Sequence, residues 1–284
     1  MEERLWTSQS FRERLPIRPL REYVTSAWIQ QMGPQSPPYL RRTIPNGSTE
    51  LVCPVGSIPK LVGPQTRPTE ELLAPRTVAV GVRFHPGAAS AALPMPVSEL
   101  LDLELAADEL WGGVAVELGE GIGAAPSPQA ALALLESALV KRILTEPVAP
   151  DRLALEMVRR LLVSPGDGVR SLATSLHISE RQLRRRCERA TGLTPKALQR
   201  MFRFQRFLAL AGADQPQYGN LGRLAHDAGY ADQSHLSREA ARLAGRAPRS
   251  VLRDCRCSHD HRASYGLFLT SALEYARSPR NAAA

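Results

Sequence analysis

Six side chains have the chemistry to read the edge of a base pair. Arg181, Gln182 and Arg185 lie in one stretch, and Gln233, Ser234 and Arg238 lie in another. An arginine presents paired N–H groups that match O6 and N7 of guanine. A glutamine amide matches N6 and N7 of adenine, and each such pairing is worth roughly 1–3 kcal/mol of discrimination. Arg186, His235 and Ser237 stand beside them and suit phosphate oxygens, contacts that position a duplex without reading it. A separate set has other chemistry. Cys255, Cys257, His259 and His261 alternate as C-x-C-x-H-x-H. All four are soft or borderline ligands, and an extended segment would point them to one side, where a Zn or Cu ion could gather. The spacing is not that of a usual zinc finger, and an incidental tail is the competing reading.

The two base-reading sets fall in a repeat. Ser171 to Arg200 reads SLATSLHISERQLRRRCERATGLTPKALQR, and Arg223 to Arg253 reads RLAHDAGYADQSHLSREAARLAGRAPRSVLR. Leu172 and Ala173 answer to Leu224 and Ala225 at an offset of 52. One extra residue enters at the turn, and Leu183, Arg185, Gly192, Pro195 and Arg200 then answer to Leu236, Arg238, Gly245, Pro248 and Arg253 at an offset of 53. Each copy predicts a short apolar helix, a turn at His177 or Gly229, and a second helix with a polar outer face, a shape that fits a major groove. Ser179 and Asp232 or Ala231 open the second helices. Gly192 closes the first of them, and Pro195 then starts a helix over Lys196–Ala211. A rigid helix of that length spans roughly 25 Å, which suits a spacer between modules about one DNA turn apart.

Charge follows the repeat. The chain of 284 residues carries a formal net charge of +8, divided as −3 over residues 1–150 and +11 over the remainder. Nearly all of the positive charge is arginine, the side chain that grips phosphate and guanine bidentately. Four cysteines in a chain of this length, behind an N-terminus with early acids and no apolar core, do not suggest a disulfide framework or a signal peptide. No stretch is long and apolar enough to span a bilayer. The expected setting is cytoplasmic, with no membrane partner.

Ahead of the repeat, Tyr23–Met32, Tyr39–Ile44, Thr49–Pro54, Lys60–Gly63 and Arg76–Phe84 read as short strands separated by Pro and Gly clusters. That pattern predicts an antiparallel sandwich or cupin-like barrel. Residues 1–15 read as loose, Val97–Trp111 as a helix, and Gly119–Ser127 as a loop. Pro128–Leu144 and Asp151–Val163 read as amphipathic helices that pack internally or form a dimer seam. The fold class is therefore α+β. It comprises a β-rich, sensor-like region over 1–126, a helical linker and candidate dimerisation region over 127–163, a double helix-turn-helix over 169–256, and a tail over 257–284. Residues 164–168 form the clearest break in the chain, and one tail helix is expected over Tyr265–Arg277.

The segment GYADQSHLSREAARLAGRAPRSVLR resembles the signature of the AraC/XylS transcription regulators. The resemblance runs from Val169 to about Arg256 and implies two helix-turn-helix modules joined by a long helix. It also implies base contacts from Arg181, Gln182, Arg185, Gln233, Ser234 and Arg238. Three positions depart from the family pattern: Cys187 and Ala240 replace a core Phe, and Leu252 replaces a later aromatic. Smaller residues there would leave voids unless neighbours such as Met201, Phe202 and Phe204 fill them. Upstream, IPNGSTELVCPVG (44–56), VGPQTRP (62–68), VGVRFHPGAA (80–89) and ELWG (109–112) resemble an uncharacterised domain often fused to such pairs, which implies architecture without chemistry.

Other reactive residues have plainer readings. His85 near Arg83 is a ligand candidate or a partly exposed loop histidine. Glu50 is a candidate pocket acid. Trp28, Trp111 and Tyr23 read as core, and Cys53 reads as a structural thiol. No phosphate-binding loop, dinucleotide fingerprint or nucleophile elbow occurs, so the expectation is a non-enzyme without cofactor. The expected activity is sequence-specific DNA binding in transcription regulation, reading two successive major grooves of promoter or operator duplex. RNA polymerase, a small-molecule effector and a second copy of the chain remain open as further partners. The alternative is a metal- or small-ligand-binding protein whose helix-turn-helix pair serves protein contacts, and a metal-responsive regulator is a third reading.

Overall fold

Punctuated short strands and a distal run of helices assemble as two packed cores. The computed structural model describes residues 9–145, 148, 150–166, 168–212 and 220–257, the last four of these by backbone alone. Among the described residues eight strands come first: β1 Ser10–Arg14, β2 Val24–Gln31, β3 Tyr39–Thr43, β4 Glu50–Pro54, β5 Lys60–Val62, β6 Thr69–Leu73, β7 Val78–Phe84 and β8 Glu104–Ala106. Six form one antiparallel sheet in the order β1-β2-β7-β4-β5-β8, and β3 pairs with β6 as a separate ribbon.

Alternation decides which face each side chain takes. Register aligns Ile29 with Val80 and Val80 with Cys53, and likewise Ala27 with Val82 and Val82 with Leu51. These rows bury one face of the sheet against α3 (Pro128–Thr145), whose Leu132, Leu135, Leu139 and Ile143 join the same core. On the other face the Trp28 indole lies across Gly81, where a Cβ would come within 2.3 Å of the ring. Arg83 there bridges Glu13 and Glu50 at 2.7 and 2.8 Å, and Trp28 Nε1 donates to Glu50 at 3.2 Å.

Three expectations are corrected. Residues 10–14 form strand β1 rather than a loose arm. Phe11 packs on Trp28, Glu13 reaches Arg83, and Arg14 donates to the buried Glu136. Val97–Trp111 is not one helix. It divides into a 3-10 turn at Val97–Leu100, strand β8, and the short α1 Asp108–Trp111. Asp102, at φ +57°, turns the chain and accepts from Thr66 N and Oγ1, each at 2.6 Å. The segment expected as a Gly-rich loop instead belongs largely to helix α2, Gly113–Gly123. A side chain on Gly119 would meet Ser57 O at 2.7 Å, so packing rather than propensity selects glycine there.

The second core is helical: α4 Arg152–Val163, α5 Val169–Ser175, α6 Glu180–Thr191, α7 Pro195–Gly212, α8 Leu221–Asp227, α9 Gln233–Ala244 and α10 Pro248–Cys257. The segment 127–163 is thus shared, with α3 in the sheet's core and α4 in the helical one. Cys187 and Ala240 are fully buried, in a core that Met201, Phe202, Phe204 and Phe207 of α7 fill. Phe204 and Phe207 stack at 5.5 Å. Among the described residues, no helix is long and apolar enough to cross a membrane.

The two cores touch over a broad surface. Gln205 of α7 donates to Pro45 O at 3.0 Å. Gly47 meets Leu198 so closely that a Cβ would lie 2.6 Å from its methyl, and Gly87 faces Leu155, Val158 and Thr191. Leu101 and Ile44 of the sheet domain pack into the helical core.

Candidate nucleic-acid interface

In the first module, Leu172 and Ala173 of α5 pack against Leu183 and Cys187 of α6, all four buried. His177 takes the turn at φ +54°, and Ile178 N returns to Ala173 O at 3.1 Å. The second module repeats this. Leu224 and Ala225 face Leu236 and Ala240, Gly229 turns at φ +90°, and Tyr230 N returns to Ala225 O at 2.9 Å. The next equivalent pair is the N-caps, Ser179 and Asp232. Ala231 is therefore the inserted residue that shifts the offset between the copies.

Each cap is built by its side chain. Ser179 Oγ accepts from Gln182 N at 3.2 Å while Gln182 Oε1 accepts from Ser179 N at 3.0 Å, a reciprocal capping box. Asp232 Oδ1 accepts from His235 N at 2.6 Å. Both second helices end on a left-handed glycine, Gly192 at φ +70° and Gly245 at φ +67°. Each glycine lies seven positions beyond Arg185 or Arg238, about 10 Å along the helix.

The predicted site residues separate by environment. Arg181, Gln182 and Arg185 are exposed on α6, and Gln233, Ser234 and Arg238 are exposed on α9. Arg185 and Arg238 occupy equivalent positions, six residues past their caps. Gln182 reaches the surface but spends its carbonyl oxygen on the cap. Arg186 is half-buried and ion-pairs with Asp151, the N-cap of α4. His235 stands edge-on to the Tyr230 ring at 5.2 Å, and the Ser237 hydroxyl donates to Gln233 O at 2.9 Å. An open cleft of about 630 Å³ runs beside α6, lined by Pro96, Ser98, Asp151, Arg185, Arg186 and Arg189.

Sequence reasoning missed the polar seam that joins the modules. Arg200 Nε of α7 pairs with Glu239 of α9 at 2.7 Å, both largely buried. Arg203 donates to Pro165 O at 2.8 Å and lies 5.6 Å from the Tyr230 ring centre. Burial and the nearby Glu239 carboxylate push the Tyr230 hydroxyl above its ordinary pKa. Two arginines spaced i, i+3 on the spacer helix were the available signal.

The remaining candidates resolve plainly. His85 is buried rather than partly exposed, with Nε2 3.2 Å from Arg21 O, and desolvation pulls its pKa down to about 3. Glu50 is engaged by Arg83 and Trp28. Burial raises the Cys53 thiol to about 11 and the Cys187 thiol to about 12, which leaves both protonated and inert at neutral pH. Helix α10 includes Cys255 and Cys257, so the extended segment assumed for a metal cluster does not hold there. His259, His261 and the expected tail helix lie outside the described residues. Among the described residues no group of three or more His, Cys, Asp or Glu side chains is placed to hold a metal.

Residues 12–106 match a family described as a domain of unknown function (DUF6597), and residues 172–254 match one described as a helix-turn-helix domain. No curated protein matches the chain significantly. Two crystal structures of ToxT from Vibrio cholerae are similar to it. One, from strain O395, is 15% identical over 80% of this chain and 96% of its own, with a TM-score of 0.43. The other, a P21 form, is 13% identical over 86% and 98%, with a TM-score of 0.45.

Proposed function

The chain carries an AraC-type helix-turn-helix domain behind a domain of unknown function, and from that premise we propose that it is a sequence-specific DNA-binding transcription regulator reading two successive major grooves. One observation carries the reading: Arg185 and Arg238 are exposed at equivalent positions of two like-capped helices. Residues 169–256 are the reading unit, and residues 1–126 are the platform on which it is mounted.

Physical cost ranks the base contacts. Arg181, Arg185, Gln233, Ser234 and Arg238 can meet a base edge as they stand. Gln182 must first leave Ser179, which gives up the hydrogen bonds to its side-chain oxygen at about 0.5–1.5 kcal/mol each while the Ser179 hydroxyl still caps the helix. Arg186 must leave Asp151, a half-exposed pair worth about 0–1 kcal/mol, so phosphate can displace the carboxylate at little cost. His235 and Ser237 lie close enough to the exposed helix face to add phosphate contacts in the second half-site.

Selection from a random duplex pool tests the proposal. The expected product is a bipartite site with half-sites about one helical turn, ~34 Å, apart. Affinity should fall with salt, with log K decreasing by about 0.9 per phosphate contact for each unit of log salt. Failure to enrich any sequence over the pool would reject the reading.

A further inference from the structure

One loop of the sheet domain lies beside the equivalent glycines of both copies of the repeat, tightly at the first and with room for a methyl at the second. Residues 63–68, GPQTRP, join β5 to β6. Pro64 faces Gly192, the C-cap of α6, where a Cβ would lie 2.9 Å from the proline ring and 3.3 Å from Val97 O. Four residues on, Pro68 faces Gly245, the C-cap of α9, where a Cβ would lie 3.7 Å from its ring. These two glycines are equivalent in the repeat. The loop therefore meets the ends of both helices that lie farthest from their reading residues.

The loop is braced for such a role. Asp102 N donates to Pro64 O at 3.0 Å, and both Asp102 carboxylate oxygens accept from Thr66. Gln65 Nε2 donates to Gly63 O at 3.1 Å. Asp102 also follows the Val97–Leu100 turn and Leu101, which pack on α6 and the helical core. One carboxylate thus ties together the two sheet-domain segments that seat the first module. The same loop then reaches the second. Prolines at both contact points stiffen the strut, because each fixes its own backbone φ.

We propose that the Pro64–Pro68 loop, held by Asp102, is a positioning element that sets the angle and spacing of α9 relative to α6, and so fixes the half-site spacing that the protein accepts. It acts at the C-caps, away from the bases, and touches no nucleotide. This proposal rests on the DNA-binding reading above, and its test keeps the two apart.

The full chain is titrated against the selected duplex and against duplexes with one base pair added or removed between the half-sites. Two variants are compared with the parent. Asp102→Gly keeps the left-handed backbone, which glycine favours, and removes the acceptors. Asp102→Asn keeps that backbone and one acceptor. The parent should lose about tenfold or more in affinity per spacing change, since a one-pair shift rotates one half-site away from its helix. In Asp102→Gly that loss should shrink to about threefold or less, and Asp102→Asn should retain the parent's discrimination. A Pro68→Gly variant, which removes only the ring nearest Gly245 and loosens the loop's backbone there, should move the same way. A parent that binds no duplex selectively overturns the DNA-binding reading. A parent that binds while Asp102→Gly keeps its full spacing penalty overturns the strut. So does an Asp102→Gly that weakens all spacings by the same factor.

Discussion

The two helix-turn-helix copies share a local code and differ in what holds them. The first is seated on the sheet domain. Gly47 and Pro45 press on α7, and Pro64 and Leu101 press on the end of α6. The second hangs from α7 through Arg200–Glu239 and Arg203–Tyr230, and Pro68 of the sheet domain lies only loosely beside its closing glycine. The same caps, the same buried Leu–Ala pairs and the same closing glycine therefore serve two mechanical settings. One module is fixed by the body of the protein, and the other is aimed from it.

The sharpest way to break that contrast is at its glycines. Gly47→Ala and Gly245→Ala both place a side chain at positive φ, at a cost of about 1 kcal/mol. Only Gly47→Ala also drives a methyl into Leu198, so it should cost about 2–4 kcal/mol in all. Urea unfolding of both variants checks this, and equal losses would mean that the first module's seat is loose.

Acid should act on the same seat. His85 lies two residues before Gly87, which faces Leu155, Val158 and Thr191. Its pKa is about 3 when folded, against an ordinary 6.5. Below pH 6.5 the unfolded chain takes up a proton that the folded chain refuses. Stability is complete above that pH and declines as pH falls toward 3, by up to about 1.4 kcal/mol per unit. His85→Gln should flatten this dependence in urea titrations across pH 4–7.

The smallest effect belongs to Asp151→Asn. It releases a half-exposed ion pair while an amide oxygen still caps α4, so stability should change by less than about 1 kcal/mol. Freed from its carboxylate, Arg186 should tighten DNA binding slightly, measurable as a steeper salt slope.

Where the sequence spoke clearly, short-range chemistry decided the outcome. The Ser179 cap, the turn at His177 and the closing glycine at 192 are each set by residues within one helical turn. They could be placed from the repeat alone. Four strands of the six-stranded sheet, and β3 of the ribbon, were legible from β-prone runs and Pro–Gly punctuation. Strand β1 was not, because its charged residues find Arg83 and Glu136 far along the chain. Helix α2 was not, because its Gly119 answers to the distant Ser57 carbonyl rather than to its own turn. The strut was legible as a motif, VGPQTRP, but its role needed the distances to Gly192 and Gly245. The Cys/His motif is a different case, since two of its four residues lie outside the described ones. An alternating pattern argued from extended backbone meets a helix at its first two cysteines.

The most direct test of paired reading is a base-by-base specificity profile of Arg185→Ala and Arg238→Ala on the selected site. Each should relax preference by about 1–3 kcal/mol at one or two positions. The two relaxed positions should fall in different half-sites, about one helical turn apart. Profiles that match the parent, or that relax at the same base pair, would contradict it.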